Sequence, residues 1–239
     1  MKIAILGGTG QIGRGFALRW GQKHDVIVGS RGAEKAETLA AEYIKILKER
    51  DLPANITGTD NKTAAENADV IVLAIRYNQL ESLMELINPV LDKQIVVSVV
   101  VPMEKNMCYI QPNSEHTTVP ISSEEFNTDY FCFSRPESGS AAQDIADMLP
   151  ENIELVAGFH SIPAKKLADL DLEPEFDVGV CGNSMRSKEV VFDLVRDIPN
   201  MRPLDIGPLE TAPMLEALTP LIINVSARNK MRDTSIKFI

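Results

Sequence analysis

The spacing Gly8-Thr9-Gly10-Gln11-Ile12-Gly13 follows directly on the short apolar run Lys2–Leu6 and leads into a stretch carrying Phe16, Leu18 and Trp20. A buried strand that stops on glycines and restarts as a helix narrows the possible folds sharply. The glycines allow a tight turn and let the backbone come close to a pyrophosphate. The helix start then aims free N–H groups and a positive dipole end at the same point. A chain built this way is expected to form a βαβ unit that grips a dinucleotide.

The rest of the first half keeps the same rhythm. Strands are expected at 26–28, 56–58, 68–75 (ADVIVLAI) and 95–101 (IVVSVVV), the last ended by Pro102, with helices at 12–21, 33–50 and 79–87. This alternation predicts an α/β architecture, a Rossmann-type doubly wound parallel sheet with helices on both faces. Residues 103–137 have no clear period, which suggests a lid or insertion, with 130–133 (YFCF) as a possible hairpin strand. Helices are expected again at 140–149, 187–197 and 211–228, and strands at 154–159, 177–181 and 202–205. The expected division is a dinucleotide-binding domain over 1–200 and a small C-terminal helical part over 201–239. Met214, Leu215, Leu218, Leu221, Ile222 and Val225 share one helical face, which points to a homodimer.

Composition removes several classes of function. The formal net charge of −10 argues against nucleic-acid binding. No run of 18 apolar residues is present and the N-terminus lacks a signal-peptide pattern, so neither a membrane partner nor export is expected. Cys108, Cys132 and Cys181 are odd in number and far apart, and His24, His116 and His160 have no ligand spacing. A cytoplasmic location and no metal site follow as expectations.

Two places carry further chemical information. The second strand ends in Gly29-Ser30-Arg31 with Lys35 one helical turn on, where an NAD-binding chain usually carries an acid for the ribose 2′-hydroxyl. Ser30 can donate to a 2′-phosphate, Arg31 can clamp it, Lys35 adds charge, and Thr9 offers another hydroxyl, so NADP(H) is expected over NAD(H). His160, in Gly158-Phe159-His160-Ser161-Ile162-Pro163, falls at a strand end facing the cleft, and Arg76-Tyr77 follows the fourth strand in the same crevice. No hydrolase elbow, kinase signature or acid–base couple is present. Hydride passage between two redox cofactors needs positioning more than a catalytic acid.

GGTGQIGRG at 7–15, VGSR with Lys35, the segment 99–102, HSIPA at 160–164, RPLDIGPLE at 202–210, LTPLIINV at 218–225 and the ending IKFI together resemble the coenzyme F420-dependent NADP reductases. The resemblance runs through nearly the whole chain and implies an archaeal setting linked to methanogenesis. It implies hydride transfer between reduced F420 and NADP, with no catalytic acid or base. It also implies Thr9, Gln11 and Ile12 at the pyrophosphate, alongside Gly8, Gly10 and Gly13. Ser30, Arg31 and Lys35 would meet the 2′-phosphate, and Ile75, Val101 and Ala164 the nicotinamide. His160, Ile162 and Thr234 would lie beside the deazaflavin. Residues 104–136 look longer than in compact members, and Arg76-Tyr77 stands in place of a Pro-aromatic pair. Another NADPH-dependent reductase of this fold, or an NADP(H) sensor without chemistry, remain alternatives.

Overall fold

The computed structural model describes residues 1–105 and 130–239. Cys108, His116 and positions 106–129 of the expected insertion lie outside the described residues. The chain runs β1 (Lys2–Leu6), α1 (Gln11–Trp20), β2 (Asp25–Ser30), α2 (Ala33–Lys48), β3 (Ile56–Asp60), α3 (Asn61–Glu66), β4 (Val70–Leu73), α4 (Leu80–Ile87) and β5 (Ile95–Ser98). It continues with β6 (Met103–Lys105), β7 (Phe131–Phe133), α5 (Ala141–Met148), β8 (Glu154–Gly158), α6 (Ala164–Ala168), β9 (Asp177–Gly182), α7 (Met185–Arg196), β10 (Arg202–Asp205) and α8 (Ala212–Arg228).

Eight strands form one sheet in the order β10-β9-β8-β5-β4-β1-β2-β3. Strands β3 through β8 in that row are parallel, with Ile5 opposite Val28 on one side and Val72 on the other. The sheet departs from the wholly parallel expectation at its far edge. There β9 runs antiparallel to β8, and β10 lies parallel to β9. The cause is the connection after β8. Instead of crossing to the far end of the sheet, residues 159–176 stay at the carboxyl edge and form the short α6, so β9 must start where β8 finished.

Helices cover both faces. Phe16 and Trp20 of α1, Tyr43 and Leu47 of α2, Leu167 of α6 and Val191 and Leu194 of α7 bury one side. Ala64 of α3, Leu83 and Ile87 of α4, Ile145 of α5 and Leu215 of α8 bury the other. β4 is buried at all four residues, VIVL, as suits a strand covered on both faces. The expected helices and strands recur with ends shifted by one to three residues. The exceptions are α3 and α6, which are short and carry little periodicity.

The ends of the expected insertion form an antiparallel ribbon of β6 and β7, Met103 pairing with Phe133 and Lys105 with Phe131. It docks on α8, where Asn224 pairs with its second strand. The Asn224 carboxamide accepts from Phe131 N–H and donates to Phe131 O, both at 2.7 Å, imitating a strand neighbour. Among the described residues no helix is long and apolar enough to cross a membrane.

Candidate active site

The strands β1 and β4 are neighbours, yet the chain leaves them toward opposite edges of the sheet. Ligands of open α/β sheets sit at the carboxyl ends of such a pair. The glycine turn occupies this point. Gly7 has φ +81°, and a Cβ there would lie 2.4 Å from Ala74 O and 2.9 Å from Ile75 Cγ2, so the turn rests directly on the end of β4. A Cβ on Gly13 would fall 2.5 Å from Gly8 Cα, which locks helix to loop. Gly10 differs: its Cβ would meet only Gly7 O, at 3.3 Å. Protein packing therefore does not explain the glycine at 10, whereas a ligand's approach would.

Helix α1 begins without a side-chain cap and with no acid in its first turn. The first helical acceptor, Gly10 O, is taken by Arg14 N–H at 2.9 Å, which leaves the N–H groups of Gln11, Ile12 and Gly13 without an acceptor in the helix. Tyr43 steadies the turn from behind, its hydroxyl donating to Gly8 O at 3.3 Å. Together these make a cradle for an anion.

Strand β2 delivers Ser30, buried, to the same edge, with Arg31 and Lys35 exposed beyond it. Neither Arg31 nor Lys35 forms an ion pair among the described residues. The acid opposite Ser30 in the sheet, Asp60, is engaged elsewhere. It caps α3 by accepting from Thr63 N–H at 3.0 Å and Thr63 Oγ1 at 2.7 Å, and these bonds hold its carboxyl below the usual range. Asp60 is thus turned toward α3, and Arg31 and Lys35 stay free to meet a phosphate.

On the other side of the crevice β8 ends in a sharp turn. Phe159 has φ +66°, a left-handed conformation unusual for a bulky residue. Its ring is fixed edge-on against Phe16, 5.0 Å between centroids, and against Trp20, 5.7 Å, both on α1. With the phenyl turned into that cluster, the turn closes through Ile162 N–H to Phe159 O at 3.2 Å. His160 is buried, and among the described residues neither ring nitrogen makes a hydrogen bond of acceptable geometry. Burial pushes its pKa down to about 4, with the Val100 backbone acting weakly the other way. The imidazole is therefore neutral at pH 7, with one nitrogen able to donate and one to accept. Two such orphaned atoms in one buried ring are costly and call for a partner.

The structure brings most of the sequence-predicted residues to this one edge. Ile75 abuts the glycine turn, and Val101 follows Val100, whose backbone approaches the His160 ring. Ile162 closes the Phe159 turn, and Ala164 opens α6. Thr234 accepts from Ser226 at 2.5 Å, and the next residue, Ser235, donates to Ser161 O at 2.8 Å, so the segment after α8 reaches the turn. Tyr77 does not point freely into the crevice. Its hydroxyl donates to Asp144 at 2.6 Å, and burial together with that carboxylate pushes its pKa up to about 12. Among the described residues no group of three or more His, Cys, Asp or Glu side chains could hold a metal.

Known proteins bear on this geometry. Residues 2–102 match the family model described as NADP oxidoreductase, coenzyme F420-dependent. The F420-dependent NADP reductase of Methanocaldococcus jannaschii is 36% identical over 237 residues, covering 99% of this chain and 97% of the relative. The chain belongs to the F420-dependent NADP reductase family. The family's enzyme from Methanothermobacter thermautotrophicus is 32% identical over 240 residues, covering 99% of this chain and 94% of its own length. A solved protein of Arthrobacter sp. FB24 shares the fold with a TM-score of 0.74 at 21% identity, over 100% of this chain and 99% of that one.

Some of the residues that shape this family member's site carry no sequence signal. Arg19, buried within α1, donates to Leu167 O at 3.0 Å, Asp169 O at 2.5 Å and Leu172 O at 2.7 Å, tying the dinucleotide helix to α6. Glu216 of α8 is fully buried and accepts from Ala141 N–H and Ala142 N–H, both at 2.9 Å, so it caps α5. Read in sequence, the first is a charge on a helix and the second a polar break in an apolar stripe.

Proposed function

We propose that the chain transfers a hydride between reduced F420 and NADP, with the two ring systems meeting between the glycine turn and the Phe159–Ile162 turn. The observation that carries this reading is the pairing of an anion cradle with a buried, doubly unpartnered His160 on one sheet edge. A phosphate-bearing dinucleotide suits the first, and a heteroaromatic ring with both donors and acceptors suits the second.

The chemistry supplied by the bound pair is a hydride leaving one ring and joining the other. The protein's part is placement. Thr9 and the N–H groups of Gln11, Ile12 and Gly13 receive the pyrophosphate, close to Gly8 and Gly10. Ser30, Arg31 and Lys35 receive the 2′-phosphate. Ile75, Val101 and Ala164 flank the nicotinamide, Ile162 sets the spacing of the rings, and His160 hydrogen-bonds the deazaflavin, with Thr234 nearby. Neutral His160 holds no proton to be lost near pH 7, so it orients without exchanging one. Residues 201–239 complete the cleft as a small helical part. Exposed Met214, Leu221 and Val225 on α8 support a homodimer, and the nicotinamide chemistry suits a cytoplasmic location with no nucleic-acid or membrane partner. Mixing NADPH with F420 and following both absorbances tests the reading. Matched loss of the two signals is expected; NADPH consumption that needs a different acceptor would overturn it.

A further inference from the structure

The last residues of the chain are held by an ion pair between the first residues of β9 and β10. Arg202, at the start of β10, grips Asp177, at the start of β9, in a two-pronged contact: Nε to Oδ1 and Nη2 to Oδ2, both 2.8 Å. The Asp177 side chain is only 2% exposed. The same two side chains also read both main-chain groups of one residue beyond α8. Arg202 Nη2 donates to Phe238 O at 2.6 Å, and Phe238 N–H donates to Asp177 Oδ2 at 2.5 Å. Asp177 N–H adds a bond to Ile236 O at 3.3 Å, and Lys237 pairs with Glu175 at 2.7 Å.

This grip connects to the turn at the end of β8 on two sides. Ser161 Oγ donates to Asp177 O at 3.3 Å, while Ser235 Oγ donates to Ser161 O at 2.8 Å. Ser161 stands between His160 and Ile162. The hydrogen bonds Ser161–Asp177, Asp177–Phe238 and Ser235–Ser161, joined by the main chain from 235 to 238, therefore close a loop around the turn. Thr219 Oγ1 of α8 holds His160 O from another side at 2.6 Å.

We infer that Arg202 and Asp177 are positioning residues for the second substrate: by clamping the Phe238 peptide they hold the segment after α8 against Ser161, and so hold His160 and Ile162 in the geometry that receives the deazaflavin. The inference rests on the functional reading above. The charge of Arg202 alone does not suffice, because a planar fork is needed to bridge a carboxylate and a carbonyl together. The pyrophosphate cradle lies across the crevice on β1 and α1, so the clamp bears mainly on the deazaflavin and only slightly on the dinucleotide. Releasing it lowers the fraction of molecules with a competent turn, and apparent affinity falls by that fraction.

Three variants test this. Arg202→Met removes the clamp, Arg202→Lys keeps the charge without the fork, and Phe238→Pro deletes the N–H that Asp177 accepts, together with an exposed ring, while keeping Arg202 beside the buried Asp177 in case Arg202→Met does not fold. In Phe238→Pro and Arg202→Met, KM for F420 is expected to rise about tenfold while NADPH Kd stays within about twofold, with Arg202→Lys in between. Amide hydrogen exchange should accelerate at residues 160–162 in the same variants and stay unchanged at 8–13. If residues 232–239 exchange freely while 160–162 stay protected, the clamp does not position the turn and the inference fails. It fails as well if NADPH Kd and F420 KM rise in step. Exchange coupling without any F420 turnover in the unaltered chain instead overturns the functional reading, and the assignment of the clamp to F420 with it.

Discussion

Alanine at Gly10 should separate dinucleotide binding from folding. The backbone there is extended, φ −84° and ψ 172°, a conformation open to any L-residue. The added methyl meets only Gly7 O at 3.3 Å, a contact the turn can relieve by moving a few tenths of an ångström. The change in folding stability should stay within about 1 kcal/mol, since a glycine replaced in an allowed conformation also loses unfolded-state entropy. Binding is another matter. The methyl would stand at the cap of α1, one residue before the unpaired Gln11, Ile12 and Gly13 N–H groups. If it keeps a pyrophosphate from two of them, the loss is about 3 to 6 kcal/mol, roughly 10²- to 10⁴-fold in NADPH Kd. Gly13→Ala supplies the contrast. Its methyl would sit 2.5 Å from Gly8 Cα, so the fold itself must give, by about 1 to 3 kcal/mol and several degrees in Tm. Fluorescence titration with NADPH and thermal melting of both variants decide the matter. A Gly10→Ala protein that binds NADPH like the unaltered chain, or that melts as early as Gly13→Ala, refutes the assignment of the glycine turn.

Arg31→Ala should weaken NADPH about 10- to 150-fold, the worth of one charge-assisted contact, and leave NADH nearly unchanged, as paired titrations would report; equal losses for both would remove Arg31 from the 2′-phosphate. Ile162→Gly should slow hydride transfer in single-turnover kinetics with pre-bound NADPH more than it weakens NADPH, and His160→Ala should raise F420 KM selectively; an unchanged hydride rate together with unchanged F420 affinity would leave that turn purely structural. Glu216 provides a pH test, because burial raises its pKa to about 7 despite the two N–H groups it accepts. Its folded value lies above the unfolded one, so its contribution is complete below pH 4.5 and is lost as pH rises through about 7, up to about 3 kcal/mol. Urea unfolding at several pH values should show this decline in the unaltered chain and not in Glu216→Gln; equal slopes would contradict the assignment.

The sequence by itself determined those features whose cause is local. Glycine spacing between an apolar run and a helical stretch marks a tight turn, and the short apolar runs at β1, β4 and β5, bounded by turn residues, read as strands buried on both faces. Gly29-Ser30-Arg31 places its hydroxyl and charge by strand register alone. The overall alternation, and with it the sheet and the crevice, followed from these. Only the tertiary structure decided the reversal of β9 and β10, because nothing in residues 159–176 states whether a connection crosses the sheet or turns back along its edge. That choice is made by Leu167 seating on Gly15 and by Arg19 holding three carbonyls of the α6 region, contacts between segments about 150 residues apart in the chain. The left-handed Phe159 likewise depends on the Phe16 and Trp20 rings, which no local propensity encodes. The orphaned nitrogens of His160, the capping carboxylate of Glu216 and the Arg202–Asp177 clamp share that origin. Each gains its chemical character from burial and from a partner distant in sequence, and burial is a property of the packed molecule rather than of any one stretch of it.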